Sequence, residues 1–286
     1  MSAPSLASSP SLVRLVDVTC GIRRSRAGAE RLVPLHEFVF VRRGVFQTHL
    51  HRRVLTADPN QVLLVDGGSE VRFSHPTDDG DEFTAIELFP DAARELCARQ
   101  RPQLADRLRT PMSDGTHPVS HHIVLQLQRM RSAMRRGDAL AQEELALALA
   151  AGILDQRTPE RKGGAITDEP APGRRDLVEE VKVRLASSLG ESLSLGQLAR
   201  MVGRSPFHLA RTFRDATGVP LYQYRLGLRL AVALDRVAEG ETNLSALALD
   251  LGFSSHSHFT RHFRRRYGGA PTRLRGMLQV ATPRGA

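Results

Sequence analysis

Residues Gly252–Pro271 read GFSSHSHFTRHFRRRYGGAP. Four arginines, Arg261, Arg264, Arg265 and Arg266, crowd this stretch, and Phe253, Phe259 and Phe263 interrupt them. Residues four apart share a helical face, so Phe259 and Phe263 form one anchor. A disordered basic tail has no use for that spacing. A helix held down by phenylalanines, with arginines projecting from its other side, does.

The same pattern stands once more, further upstream. LARMVGRSPFHLARTFRDATG (198–218) aligns with LALDLGFSSHSHFTRHFRRRYG (247–268). Leu198, Ala199 and Gly203 match Leu247, Ala248 and Gly252; Leu209, Arg211, Phe213, Arg214 and Gly218 match Phe259, Arg261, Phe263, Arg264 and Gly268. One inserted residue lies between the two blocks, so a single supersecondary unit occurs twice. Each copy reads as helix, glycine turn, helix, the pattern of a helix-turn-helix. Ser205 before Pro206 predicts an N-cap followed by proline in the first turn, and Ser254 or Ser255 can cap the matching helix. The apolar pairs fix the free face: His208, Arg211 and Arg214 in the first unit, and Ser257, Thr260, Arg261 and Arg264 in the second, lie on or beside it. Between the units, PLYQYRLGLRLAVALDRVAEG carries Leu226, Leu230, Leu234 and Val237 as a stripe and stops at Gly240. A helix from Pro220 to Ala238 is roughly 28 Å long. Successive major grooves on one face of DNA are ~34 Å apart.

These residues, from about Asp176 to Arg275, resemble the C-terminal domain of AraC/XylS-family transcription regulators. LALDLGFSSHSHFTRHFRRRYGGAPTRLR carries the strongest part, similar to that family's A-x-x-x-G-F, then F-x-R-x-F-[KR], G, P and R. The resemblance implies contacts to bases and phosphates by Phe207, His208, Ala210, Arg211 and Arg214 in the first unit. In the second it implies His256, Ser257, His258, Thr260, Arg261 and Arg264. Ala210 departs from the polar residue common there, though alanine can touch a thymine methyl.

Charge supports a polyanionic partner. The net charge is +9. From Arg174 onward there are 18 Lys+Arg and 9 Asp+Glu, so the whole excess lies in the last 113 residues. Nearly all of it is arginine, suited to bidentate contact with phosphate and guanine. Neither Cys20 nor Cys97 belongs to a C-x-x-C pair, so no disulfide framework or metal knuckle is expected. MSAPSLASSPSLVRLVDV lacks the charged and apolar segments of a signal peptide, and no apolar run approaches the ~18 residues of a membrane span. A cytoplasmic protein without membrane contact is the expectation.

Residues 12–90 read as short strands separated by turns. EFVFVRRG, QVLLVDGG and TAIELF are the clearest, with turns at Asp58-Pro59-Asn60, Gly67-Gly68 and Asp78-Asp79-Gly80. They predict an antiparallel barrel or sandwich, weakly similar to the cupin-like sensor domain of the same family. SHHIVLQLQRMRSAMRR and AQEELALALAAGILDQ then predict a helix pair at about 118–156. The expected fold has two domains. Residues 1–156 form a cupin-like antiparallel β-barrel with a following helix pair, and 157–175 form a linker. Residues 176–277 form an all-α domain of two helix-turn-helix units joined by a long helix, followed by a tail at 278–286.

The reading is a sequence-specific DNA-binding regulator of transcription. Double-stranded promoter DNA is its partner, and a small-molecule effector is bound in the barrel, with His36 and Arg72 as candidate contacts. Leu127, Met130, Met134, Leu145 and Leu149 offer apolar surface for a homodimer, and RNA polymerase is a further candidate partner. No cofactor, metal or catalytic group is expected, because no nucleophile triad or phosphate loop is present. The alternative is a metal-dependent cupin enzyme with a DNA-binding appendage. His49 and His51 share a strand face, and His36 and His75 could join them by folding, but no glutamate follows at the needed spacing. A third reading is an architectural DNA binder without sequence preference.

Overall fold

The computed structural model describes residues 12–50, 53–100, 115–156 and 172–279. His51 and most of the expected linker lie outside the described residues.

The N-terminal half is a flattened barrel of two antiparallel sheets. Strands β1 (Val13–Cys20), β2 (Arg31–Leu32), β3 (His36–Gly44), β4 (Phe46–Leu50) and β5 (Arg53–Ala57) come first. They are followed by β6 (Gln61–Val65), β7 (Glu70–Ser74) and β8 (Asp81–Leu88). Helix α1 (Pro90–Gln100) and strand β9 (Gly115–Pro118) complete the set. One sheet has the order β1-β8-β3-β6-β9, the other β2-β7-β4-β5.

The continuous apolar runs of β3 and β6 have a simple cause, which is that both faces are covered. Val39, Val41, Leu63 and Val65 meet Phe46, Leu55 and Val71 of the second sheet. Phe38, Phe40, Val62 and Leu64 face the other way and pack on helices. Those helices are α1, α2 (His121–Arg136) and α3 (Ala139–Gln156). Neither α1 nor β9 is legible in the sequence; α1 begins on a proline and shows only Ala92, Ala93, Leu96 and Cys97 as its buried stripe.

The helix pair forms as expected, capped by Ser120 and closed by Gly137 in a left-handed conformation. Its apolar surface, however, is used within the chain. Leu127, Met130 and Leu149 are buried against the barrel sheet, and Met134 and Leu145 pack onto the same cluster. The surface that suggested a homodimer is therefore already covered, because the barrel's outer sheet face is itself apolar and larger than one helix can shield.

The C-terminal half is helical throughout: α4 (Pro172–Ser187), α5 (Leu195–Met201), α6 (Pro206–Thr217), α7 (Leu221–Glu239), α8 (Leu244–Asp250), α9 (His256–Tyr267) and α10 (Pro271–Gln279). Helix α4 starts inside the stretch expected as linker, since proline is compatible with a first turn. Helix α10 runs past residue 277, and Leu278 is core rather than tail. The halves share one interface. Val124 of α2 joins the cluster of α7–α10, and Val45 joins that of α4–α7.

Candidate nucleic-acid interface

Helices α5 and α6 form the first helix-turn-helix, α8 and α9 the second. Ser194 and Gln197 make a reciprocal capping box at the start of α5. Ser205 caps α6 through the His208 amide, with Pro206 in the first turn, and Ser255 caps α9 through the His258 amide. The second turn needs glycine at Gly252, where φ is +72° and an added Cβ would lie 2.8 Å from the Leu189 carbonyl.

The aromatic residues face inward. Leu209, Phe213, Phe259 and Phe263 are at most 1% exposed. Phe253, Phe259, Phe263 and Tyr267 form a chain of ring contacts with centroids 5.3, 5.4 and 4.9 Å apart. This geometry turns the opposite faces of α6 and α9 to solvent. Phe207, His208, Arg211 and Arg214 are exposed on α6; His256, Ser257, Arg261 and Arg264 are exposed on α9. Ala210 and Thr260 are half-buried at the edge of each face. Phe207 is 77% exposed, an unusual position for an aromatic side chain at a helix start. Arg211 lies 3.8 Å from Asp215 one turn on, an exposed pair that costs little to open.

His258 is half-buried, like Ala210 and Thr260. Its Nδ1 lies 3.0 Å from Ser254 Oγ and its ring 4.7 Å from that of His262. Both histidines line a 350 Å³ apolar groove between the two units, with Leu198, Tyr222 and Leu226. Burial, and then the neighbouring His258 and arginines, hold the His262 pKa below its ordinary value. Arg265, also exposed on α9, is a basic group that the family pattern did not single out.

The long helix α7 sets the spacing of the two units. Its 19 residues span about 28 Å. It is also the element on which the halves are joined. Asn60 Nδ2 donates to the Tyr224 carbonyl at 2.7 Å, and a Cβ at Gly227 would sit 2.5 Å from Asn60 Oδ1. Further along, Asp235 is 1% exposed. Its Oδ1 accepts from Arg131 at 2.7 Å and from Gln128 at 3.1 Å, and its Oδ2 accepts from Arg43 at 2.8 Å. Arg42, Asp17, Glu82 and Glu239 complete the network. None of these residues is flagged by the sequence, because they come from β1, β3, β8, α2 and α7 and meet only on folding.

The two candidate effector contacts are not brought together. His36 Nδ1 lies 3.3 Å from Asp66 Oδ1 and accepts from the Gly67 amide in the turn after β6. Arg72 is exposed on β7, in the other sheet. The space between the sheets is filled by side chains. Larger cavities border the barrel instead. One of 670 Å³ lies between it and the helical half, with Gln61, Lys182, Tyr224 and Arg266 among its walls. Another, of 1020 Å³, lies between the mouth of the barrel and α4. Among the described residues, the histidines weighed as metal ligands have separate partners: His49 is hydrogen-bonded with Ser74 at 2.8 Å, His75 with Asp81 at 2.8 Å.

Two reading-helix candidates on one rigid spacer, behind a β-barrel, define a double helix-turn-helix protein with an N-terminal barrel domain. Comparison with known proteins agrees. A helix-turn-helix domain family matches residues 198–277. The probable transcription factor PqrA of Proteus vulgaris is 33% identical over 100 residues, covering 35% of this chain and 80% of PqrA. The transcriptional activator RhrA of Rhizobium meliloti is 32% identical over 121 residues, 41% of this chain but 38% of RhrA. A solved AraC-type regulator from Chromobacterium violaceum is 27% identical over 40% of this chain and 99% of its own, with a TM-score of 0.36. The chain belongs to the AraC family of helix-turn-helix transcription regulators. Among the described residues, no helix is long and apolar enough to cross a membrane.

Proposed function

We propose that the protein regulates transcription by placing α6 and α9 in two successive major grooves of promoter DNA. The observation that carries this reading is the repeated exposure of matching polar faces, with Arg211 and Arg261 at equivalent positions on the outer side of buried Leu209/Phe213 and Phe259/Phe263 pairs. Arg suits guanine O6 and N7; Phe207 and Ala210 suit apolar contact with thymine methyls. Arg264 and Arg265 in the last turn of α9 suit phosphates. PqrA and RhrA are named as a probable transcription factor and a transcriptional activator, which supports the same role here. The N-terminal half is proposed to sense a small molecule, with the cavities beside the barrel as its entry points. Its contacts with α7 supply a path to the DNA-reading helices. A second copy of the chain and RNA polymerase are further proposed partners, on surfaces other than the buried stripe of α2 and α3.

Selection of bound fragments from random DNA, then footprinting, tests the proposal. Two protected major-groove segments on one face, about 10 base pairs apart, are expected, with affinity falling steeply as salt rises. Equal affinity for selected and random DNA would favour an architectural binder instead.

A further inference from the structure

Cys20, His75 and Asp81 meet at one end of the barrel, where His75 lines the 1020 Å³ cavity. Cys20 ends β1 and is paired in register with Asp81, the first residue of β8. Asp81 is paired on its other side with Gly44, the last residue of β3. Gly44 has φ +74°, and a Cβ there would lie 2.9 Å from the Asp81 Cα; Gly80 has φ +71°. Two glycines thus let three strand ends close around one carboxylate. His75 is held by a backbone bridge, donating to Ser25 O at 3.2 Å and accepting from Ser25 N at 2.9 Å. One ligand-type atom from each of the three side chains lies within 4.8 Å of the others.

We propose that Cys20, His75 and Asp81 form a binding site for a thiophilic divalent cation, with zinc the best fit. A thiolate, an imidazole and a carboxylate are the ligand types zinc takes, and three protein ligands leave a fourth position open. The independent observation is the state of Asp81. Its side chain is 1% exposed, and its Oδ1 is buried without a hydrogen-bond partner, while Oδ2 meets His75 Nδ1 at 2.8 Å. A cation supplies the counter-charge, and coordination through both carboxylate oxygens would also supply the partner that Oδ1 lacks. Tetrahedral zinc requires neighbouring nitrogen and oxygen ligands about 3.3 Å apart, so His75 and Asp81 need to separate by only about half an ångström. His75 also lines the 1020 Å³ cavity whose far wall is Glu180, Val183 and Arg184 of α4, space from which water or a small anionic ligand would complete the ion's shell. The other acidic cluster, Glu82, Asp235 and Glu239, makes a useful contrast. Its carboxylates are already neutralised by Arg42, Arg43 and Arg131, so it gains nothing from a cation.

The test uses tag-free full-length protein stripped with a chelator. Titration with cobalt is expected to saturate at one equivalent, with a thiolate-to-metal charge-transfer band, and zinc should displace it. Cys20→Ser should abolish the band and weaken zinc binding at least about tenfold, as should His75→Ala. Cys97→Ser, on the buried face of α1, should change neither. Cys20 is only half-buried, so Cys20→Ser should fold; its circular dichroism and melting without metal check this. Asp81→Asn is secondary, since its burial puts folding at risk. Binding far below one equivalent overturns the proposal. So does a cobalt spectrum without the thiolate band, or wild-type zinc affinity in Cys20→Ser.

Discussion

Tyr224 Oη donates a 2.6 Å hydrogen bond to Asp58 Oδ2, and so ties the helix that spaces the two DNA-reading units to a turn of the barrel. Asp58 is fully buried, and its Oδ1 accepts from the Asn60 amide at 2.8 Å. The same phenol accepts from Gln61 Nε2 at 2.8 Å. The barrel turn and α7 are thus joined directly, side chain to side chain.

The Asp58 carboxyl titrates in a measurable range. Burial pushes its pKa up to about 6, against the lowering effects of Tyr224, Lys182 and Asn60 and the raising effect of Glu179. A carboxyl whose folded pKa lies above its unfolded value of about 3.9 contributes stability that is complete below that value. The contribution is lost as pH rises through about 6. The melting temperature should therefore fall between about pH 4 and 6.5, and Asp58→Asn should flatten that segment. Above pH 7 the variant should be more stable than wild type by about 1–3 kcal/mol. A melting profile identical in shape for the two proteins would show that Asp58 is not the group responsible.

Asp235 tests the joint further along α7. Asp235→Ala leaves Arg131, 5% exposed in its side chain, as a buried cation with fewer partners. A loss of about 3–5 kcal/mol in chemical denaturation is expected. Replacing both residues, with Asp235→Leu and Arg131→Met, should recover much of it, because the cost arises from the stranded charge. The same reasoning applies to a fragment starting at Pro172. It keeps both helix-turn-helix units but strips Asp235 and Tyr224 of their partners, so it should melt below the intact chain while still binding DNA in a salt-dependent way.

Phe263 and Arg264 are neighbours on α9 with opposite roles. Phe263→Ala should cost roughly 3–5 kcal/mol through the cavity it leaves. Arg264→Ala, on the exposed side, should stay within about 0.5 kcal/mol. Thermal melts that rank the two in reverse would mean the faces of α9 are misassigned.

Arg211→Ala and Arg261→Ala address readout. Each should weaken the selected site by about 1–3 kcal/mol and random DNA by much less, measured as parallel binding titrations. Equal losses on both would assign these arginines to phosphates.

The C-terminal half was legible because its determinants are local. Phe259 and Phe263, Ser255, Gly252 and Gly268 lie within seventeen residues of one another, and a helix-turn-helix reuses them in each copy. β3, β6 and β8 were legible as apolar runs, but α1 and β9 were not, since short elements with mixed composition take their structure from what they pack against. His258 came from the family resemblance and not from helical period, which by itself does not report its contacts with Ser254 and His262.

The sequence by itself determined two repeated units, their inner and outer faces, their basic charge and the helix between them. The tertiary structure alone decided that α2 spends its apolar stripe inward, that Asp58 meets Tyr224, and that Arg131 meets Asp235. It also decided that Cys20, His75 and Asp81 converge. Periodicity and capping act over a few residues and leave a pattern in the chain. Contacts 55 to 166 residues apart leave none, because any buried charge or ligand finds its partner only once the surrounding elements have packed.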